Sequence, residues 1–279
     1  MHHGIVITTP DPRLASELAA DAEAAGWDGV FTWDAISTGE SPGFDPWIVL
    51  AAMAMRTTRV GLGAMVFAPS RRRPWKVARE LGTLDLLSGG RIVFPVGLGT
   101  LDDQGFGAVG EAVEARTRAQ RLDETLAIID GLASGEPFEF HGEHYEINGL
   151  TLRPRPLQRP RIPVWVVGAW PHERSLRRAA HWDGIVVQGV DDGVPNGAPR
   201  NLAEIVAWLR RERDAAGLSG PYDVVVGAST DANDAEDLAR VERAEADGAT
   251  WWVEQDWEHT DPDALRARID AGPPRARVR

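Results

Sequence analysis

The stretch from Val60 to Gly99, VGLGAMVFAPSRRRPWKVARELGTLDLLSGGRIVFPVGLG, constrains the fold more than any other part of the chain. It predicts strand, loop, helix and strand in succession. Val60 to Val66 is apolar on both faces, with glycines at Gly61 and Gly63, as expected of a parallel strand covered on both sides. Ala68 to Arg73 is a loop with three consecutive arginines, and Pro74 suits the first position of a helix. From Trp75 to Leu87 the apolar residues Val77, Leu81, Leu84 and Leu87 recur at three- and four-residue steps, and Gly89-Gly90 stops the helix. A second buried strand, Ile92 to Val96, opens into Gly97-Leu98-Gly99. The whole is one βαβ unit whose glycine-lightened strand ends let a ligand approach the backbone.

The same alternation runs along the rest of the chain. Strands are expected at His3 to Thr8, Gly29 to Trp33, Val164 to Ala169, Gly184 to Val187, Asp223 to Ala228 and Thr250 to Glu254. Helices are expected at Arg13 to Ala25, Pro46 to Met55 behind an Asp45 cap, Arg116 to Leu132, Glu173 to His181, Leu202 to Ala216, Asp234 to Asp247 and Pro262 to Ala271. One excursion, residues 135–163, carries a hairpin (PFEFHGEHYEING) and the proline-rich run RPRPLQRPRIP. Long loops of this kind are functional or covering. A loop joins Gln188 to Arg200, and the tail 272–279 is expected to fray. Eight buried strands, each followed by a helix, argue for an α/β fold: a single (β/α)8 TIM barrel over residues 1–279, with its insertion before strand five. A doubly wound open sheet is the alternative, but it calls for a glycine-rich phosphate turn after strand one, where Thr8-Thr9-Pro10-Asp11-Pro12 stands.

Composition narrows the function classes. The 279 residues are 43% hydrophobic, enough for one barrel of about 250 residues. There is no cysteine, which excludes disulfides, thiolate metal sites and Cys catalysis and fits a reducing cytoplasm. A formal net charge of −12 argues against nucleic-acid binding. No signal peptide or membrane-spanning apolar run is present, so a cytoplasmic location is expected.

On the residues LGAMVFAP and RRRPWKVARELGTLDLLSGGRIVFPVGLG, the chain resembles the luciferase-like flavin or deazaflavin (F420) oxidoreductases. The likeness runs from about His3 to about Val187. It implies a barrel with its cofactor at the C-terminal strand ends, FMN or alternatively F420. In deazaflavin-using members an aspartate at the Asp34 position is followed by a catalytic histidine; here Ala35 follows. Met65 and Val66 match a site of a non-proline cis peptide against the flavin ring. Gly97, Leu98 and Gly99 are expected along the cofactor, and Gly168, Ala169 and Trp170 beside its phosphate at the start of a helix. The hairpin bearing His141 and His144 would lie near the mouth.

The residues themselves say less. The strand ends are apolar and amide-rich, with no nucleophilic triad and no metal-ligand cluster, which suits a cofactor that brings its own reactivity. Asp34 ends a buried strand and is the candidate catalytic group, with Gln188 and Glu254 as polar contacts. At least two of Arg71, Arg72 and Arg73 are expected to be solvated, and Arg116, Arg118 and Arg121 to pair with Glu111 and Glu114. The expected function is an FMN monooxygenase-type oxidoreductase acting on a small organic substrate, with a flavin reductase supplying reduced FMN. The alternatives are F420-dependent hydride transfer and a non-catalytic flavin-binding protein; a metal-dependent barrel hydrolase lacks ligands. A homodimer through the apolar helix at Trp47 to Met55 is the expected assembly.

Overall fold

A computed structural model of the chain describes residues 1–39, 43–189, 199–231, 234–257 and 261–274. Parts of the Gln188 to Arg200 loop and of the 272–279 tail therefore lie outside the described residues. The elements follow in chain order as β1 (His2–Val6), α1 (Pro12–Ala24), β2 (Gly29–Thr32), α2 (Pro46–Arg56), β3 (Gly61–Ala64), α3 (Pro74–Ser88), β4 (Phe94–Val96) and α4 (Ala115–Leu132). A hairpin of β5 (Phe138–His141) and β6 (Glu146–Leu150) comes next. The chain then continues through β7 (Val164–Trp170), α5 (Glu173–His181), β8 (Gly184–Gly189), α6 (Leu202–Ala215), β9 (Asp223–Ala228), α7 (Ala235–Ala246), β10 (Trp251–Glu254) and α8 (Pro262–Asp270).

The eight strands outside the hairpin form one sheet in the order β3-β2-β1-β10-β9-β8-β7-β4, with parallel pairing throughout. The sheet rolls until its two edges meet. Leu62 bridges Ile92 and Phe67 bridges Val96, through the 2.9 Å bonds Leu62 N to Arg91 O and Phe67 N to Pro95 O. The fold is a nearly closed (β/α)8 barrel whose seam lies between β3 and β4. The βαβ unit read from the sequence is therefore the point of closure, and its strands are shorter than their apolar runs.

Aspartates start several helices. Asp11 caps α1 through Arg13 N and Leu14 N, and Asp45 caps α2 through Trp47 N and Ile48 N, each followed by a proline at the first helical position. The proline supplies the helical φ and lacks the amide that would otherwise go unbonded.

Two apolar layers result from strands buried on both faces. The outer one lies between sheet and helices and includes Ile5, Val30, Leu62, Phe94, Val166 and Trp252. The inner one fills the barrel with Val6, Phe31, Met65, Trp165, Val186, Val225 and Val253. Its N-terminal end is closed by three rings: Phe31 to Trp165 is 6.0 Å between centroids, Phe31 to Trp251 6.2 Å and Trp165 to Trp251 5.3 Å. His2 stacks on Trp251 from below at 4.8 Å. The hairpin packs outside the barrel, setting Tyr145 and Ile147 against Ile128 and Leu132 of α4. Glu124 of α4 accepts from the amides of Glu143, His144 and Tyr145. This holds His141 and His144 on the outer side of α4. Among the described residues no helix is long and apolar enough to cross a membrane.

Candidate active site

Strand alternation, counted from the inner cluster, decides which residues face the barrel axis above the aromatic floor. These are Val6 and Thr8 on the first strand, Trp33 on the second, Met65 and Val66 on the third, Gly97 on the fourth, Val167 and Ala169 on β7, Gln188 on β8, Gly227 on β9 and Gln255 after β10. The Met65–Val66 peptide bond is cis, and both side chains join the inner cluster. A β-carbon added at Gly97 would lie 3.0 Å from Val66 Cγ2 and 3.1 Å from Val167 Cγ2. Three of the expected cofactor residues, Met65, Val66 and Gly97, thus meet on one apolar wall. The Thr8 hydroxyl is buried at the same end without a hydrogen-bond partner, while Gln188 is exposed.

Other expected cofactor residues face away from the axis. Leu98 and Trp170 pack against the outer layer. A β-carbon on Gly168 would lie 2.5 Å from Ile185 Cδ1 and 3.2 Å from Leu176 Cδ2, so this glycine is demanded by packing against α5. Gly99 has φ of +76°, and a β-carbon there would meet the Phe106 ring at 2.8 Å. The amide of Ala169 donates to Ser175 Oγ at 3.0 Å, tying the end of β7 to α5.

Asp34 is drawn into an ion-pair network. Its side chain is 0% exposed. It accepts from Ala68 N at 2.9 Å, from Arg71 Nη2 at 2.9 Å, and from Arg72 Nη1 and Nη2 at 2.5 and 2.7 Å. Arg71 also pairs with the buried Asp103. Asp103 accepts from the amides of Ile36, Ser37 and Gly105. Burial works against the Asp103 charge, but these amides and Arg71 hold its carboxyl below the usual range. Burial likewise opposes the charge on Arg72, and Asp34 more than restores it. The loops after β2, β3 and β4 are fastened together by this network. Arg71 and Arg72 are therefore not solvated, contrary to the sequence expectation; the cause is a carboxylate far upstream that the fold carries to them. Arg73 alone of the three is exposed, with its guanidinium 6.0 Å from the Trp75 ring.

Glu254 also departs from expectation. It shares the outward side of β10 with Trp252, whose Nε1 donates to it at 3.2 Å. Thr230 Oγ1 donates at 2.8 Å, the Thr230 amide donates as well, and Arg268 of α8 lies at 3.1 Å. Burial pushes its carboxyl up against the pull of Arg268 and Thr230. It fastens α8 to the sheet on the outward side of β10. Of the α4 arginines, Arg121 pairs with Glu111 at 2.7 Å as expected. Arg118 instead reaches inward, its Nη1 donating to Leu98 O at 2.9 Å and Gly99 O at 2.8 Å. The sequence offered no sign of this beyond an arginine four residues before the apolar Leu122.

The family model of the luciferase-like monooxygenases matches residues 2–276. The chain belongs to that family. An uncharacterized protein of Mycobacterium tuberculosis is 31% identical to this luciferase-like chain over 228 residues, 75% of this chain and 74% of that protein. The F420-dependent glucose-6-phosphate dehydrogenase of Microbacterium testaceum is 34% identical over 187 residues, 64% of this chain and 54% of that enzyme. The structure of the monooxygenase RslO1 from Streptomyces bottropensis superposes with a TM-score of 0.80 at 20% identity, covering 97% of this chain and 96% of that one. At that identity the structural likeness is one of fold.

Proposed function

We propose that this luciferase-like protein is a flavin-dependent oxidoreductase of the monooxygenase type that binds FMN and acts on a small organic substrate. One observation carries the reading. Among the described residues, the inward-facing positions above the aromatic floor hold no titratable side chain. The strand-end carboxylates Asp34 and Glu254 are each paired with arginine. Such a site offers no acid or base among the described residues and is largely apolar, which suits a cofactor that carries the reactivity itself.

The residues present fit such a cofactor. Met65, Val66 and Val167 make an apolar wall against a planar ring, Gly97 keeps that wall low, and the unpartnered Thr8 hydroxyl offers a hydrogen bond to a polar ring edge. Ala169 stands at the inward end of β7 just before α5, where backbone amides favour an anion. When bound, the cofactor supplies the electron transfer. The chain's own residues orient the ring, and the aliphatic wall keeps water from it. The interlocked loops after β2, β3 and β4 hold the wall still.

A second reading, F420-dependent hydride transfer, is favoured by the 34% identity to an enzyme named as F420-dependent. Titrating the purified protein with FMN and with F420, followed by fluorescence, separates the two. Binding of FMN with oxygen uptake in the presence of a flavin reductase supports the monooxygenase reading. Binding of F420 alone favours the second. Flavin binding without turnover over a broad substrate panel points to a flavin carrier, and binding of neither cofactor overturns the proposal. The exposed apolar face of α2, with Ile48 71% and Met55 69% exposed, is proposed as the contact for a second copy of the chain.

A further inference from the structure

Arg118 is buried, 6% exposed, and has no carboxylate partner among the described residues. The neighbouring network sets Arg71 and Arg72 against Asp34 and Asp103, and Arg118 is a further positive charge behind the site that none of these carboxylates pairs. What compensates it is the pair of carbonyls Leu98 O and Gly99 O and the face of Phe106, whose ring centre lies 5.3 Å from the Arg118 guanidinium carbon and 5.1 Å from that of Arg71. Phe106 in turn occupies the space a side chain at Gly99 would need. An apolar residue would fill this position at less desolvation cost than a cation.

We propose that Arg118 is a positioning residue: from behind the pocket it fixes the Gly97–Gly99 turn, and its charge favours the reduced, negatively charged form of a bound cofactor. The inference rests on the flavin-type reading above. The two carbonyls belong to consecutive residues, so one guanidinium nitrogen sets the rotation of both peptide planes. Gly97, one residue earlier, faces the barrel axis against Val66 and Val167, and any rotation of the turn moves that wall. The charge acts over a longer range because the guanidinium is buried in surroundings of low dielectric.

The test uses the whole protein with Arg118→Met and Arg118→Lys. Hydrogen exchange at residues 97–106 is measured without cofactor, and the affinities for oxidised and reduced FMN and F420 are measured by titration. Met is expected to speed exchange across 97–106 and weaken the oxidised cofactor by about tenfold. It is expected to weaken the reduced form by a further tenfold, a fall in midpoint potential of about 30 mV for a two-electron couple. Lys keeps the charge but is shorter and lacks the planar group that packs on the Phe106 face, so it restores the potential while leaving exchange fast. Unchanged exchange and unchanged affinities in Arg118→Met overturn the proposal, and the neutral Arg118→Gln carries the same comparison if the Met protein does not fold. If the wild type binds neither cofactor while exchange is faster in the variant, the flavin-type reading falls and the clamp on the turn stands.

Discussion

Asp34 and Arg72 meet as a bidentate pair, the two guanidinium nitrogens 2.5 and 2.7 Å from the two carboxylate oxygens, with the Asp34 side chain wholly out of solvent. Arg71 shares the same carboxylate and passes the connection on to Asp103. A residue at the end of a barrel strand thereby acts as a fastener of three loops.

Asp34→Asn leaves two buried guanidiniums facing one neutral amide. Breaking a buried ion pair from one side costs about 3–5 kcal/mol, and a loss of that order is expected in urea unfolding at neutral pH. A change of under about 1 kcal/mol, the value typical of an exposed pair, would show that the network does not hold the loops.

Gly99→Ala asks a side chain to adopt φ of +76° and to share space with the buried Phe106. The left-handed backbone and the overpacking together are expected to cost about 2–4 kcal/mol in thermal unfolding. A double variant with Phe106→Leu should recover the packing part and keep the backbone part.

Glu254→Gln should separate stability from binding. The residue faces α8, so the variant is expected to change the unfolding midpoint while FMN and F420 affinities stay within about twofold of wild type, as for independent sites. A large loss of cofactor affinity with unchanged stability would place Glu254 in the pocket after all.

Glu23 sets part of the acid limb. Burial raises its carboxyl, but the amides of Val60, Arg59 and Thr58 and the Thr58 hydroxyl outweigh this and lower it from 4.5 to about 2. A depressed carboxylate contributes stability that is present above its unfolded value and lost as pH falls through the folded one. Stability should therefore decline between about pH 4.5 and 2, and Glu23→Gln should be less stable at pH 7 with a shallower decline below pH 4.5.

Ile48→Glu tests the association face. Sedimentation should show a dimer in the wild type and a monomer in the variant, with folding unaffected because this side chain is 71% exposed.

The barrel was legible because its strands are apolar on both faces and its helices carry Asp-Pro starts and glycine stops that act locally. The expected helix at Glu173 to His181 and the expected strand at Asp223 to Ala228 match the structure residue for residue. The fate of the charged groups was not legible. Arg71 and Arg72 look like a solvated loop until Asp34, some three dozen positions earlier, is brought beside them by the pairing of β2 with β3. The direction of Glu254 is hidden for a related reason. A strand buried on both sides offers no polar-apolar contrast, so only the positions of Val253 inside and Trp252 outside reveal which way it points. Arg118 left no local trace, since its partners are carbonyls and a ring from another loop.

The three rings of Phe31, Trp165 and Trp251 stop the N-terminal end of the barrel, so among the described residues the axis is open toward the C-terminal rim. Traffic through a single opening is last in, first out. Two occupants stacked along the axis above these rings would exchange in reverse order of entry, the outer one leaving first.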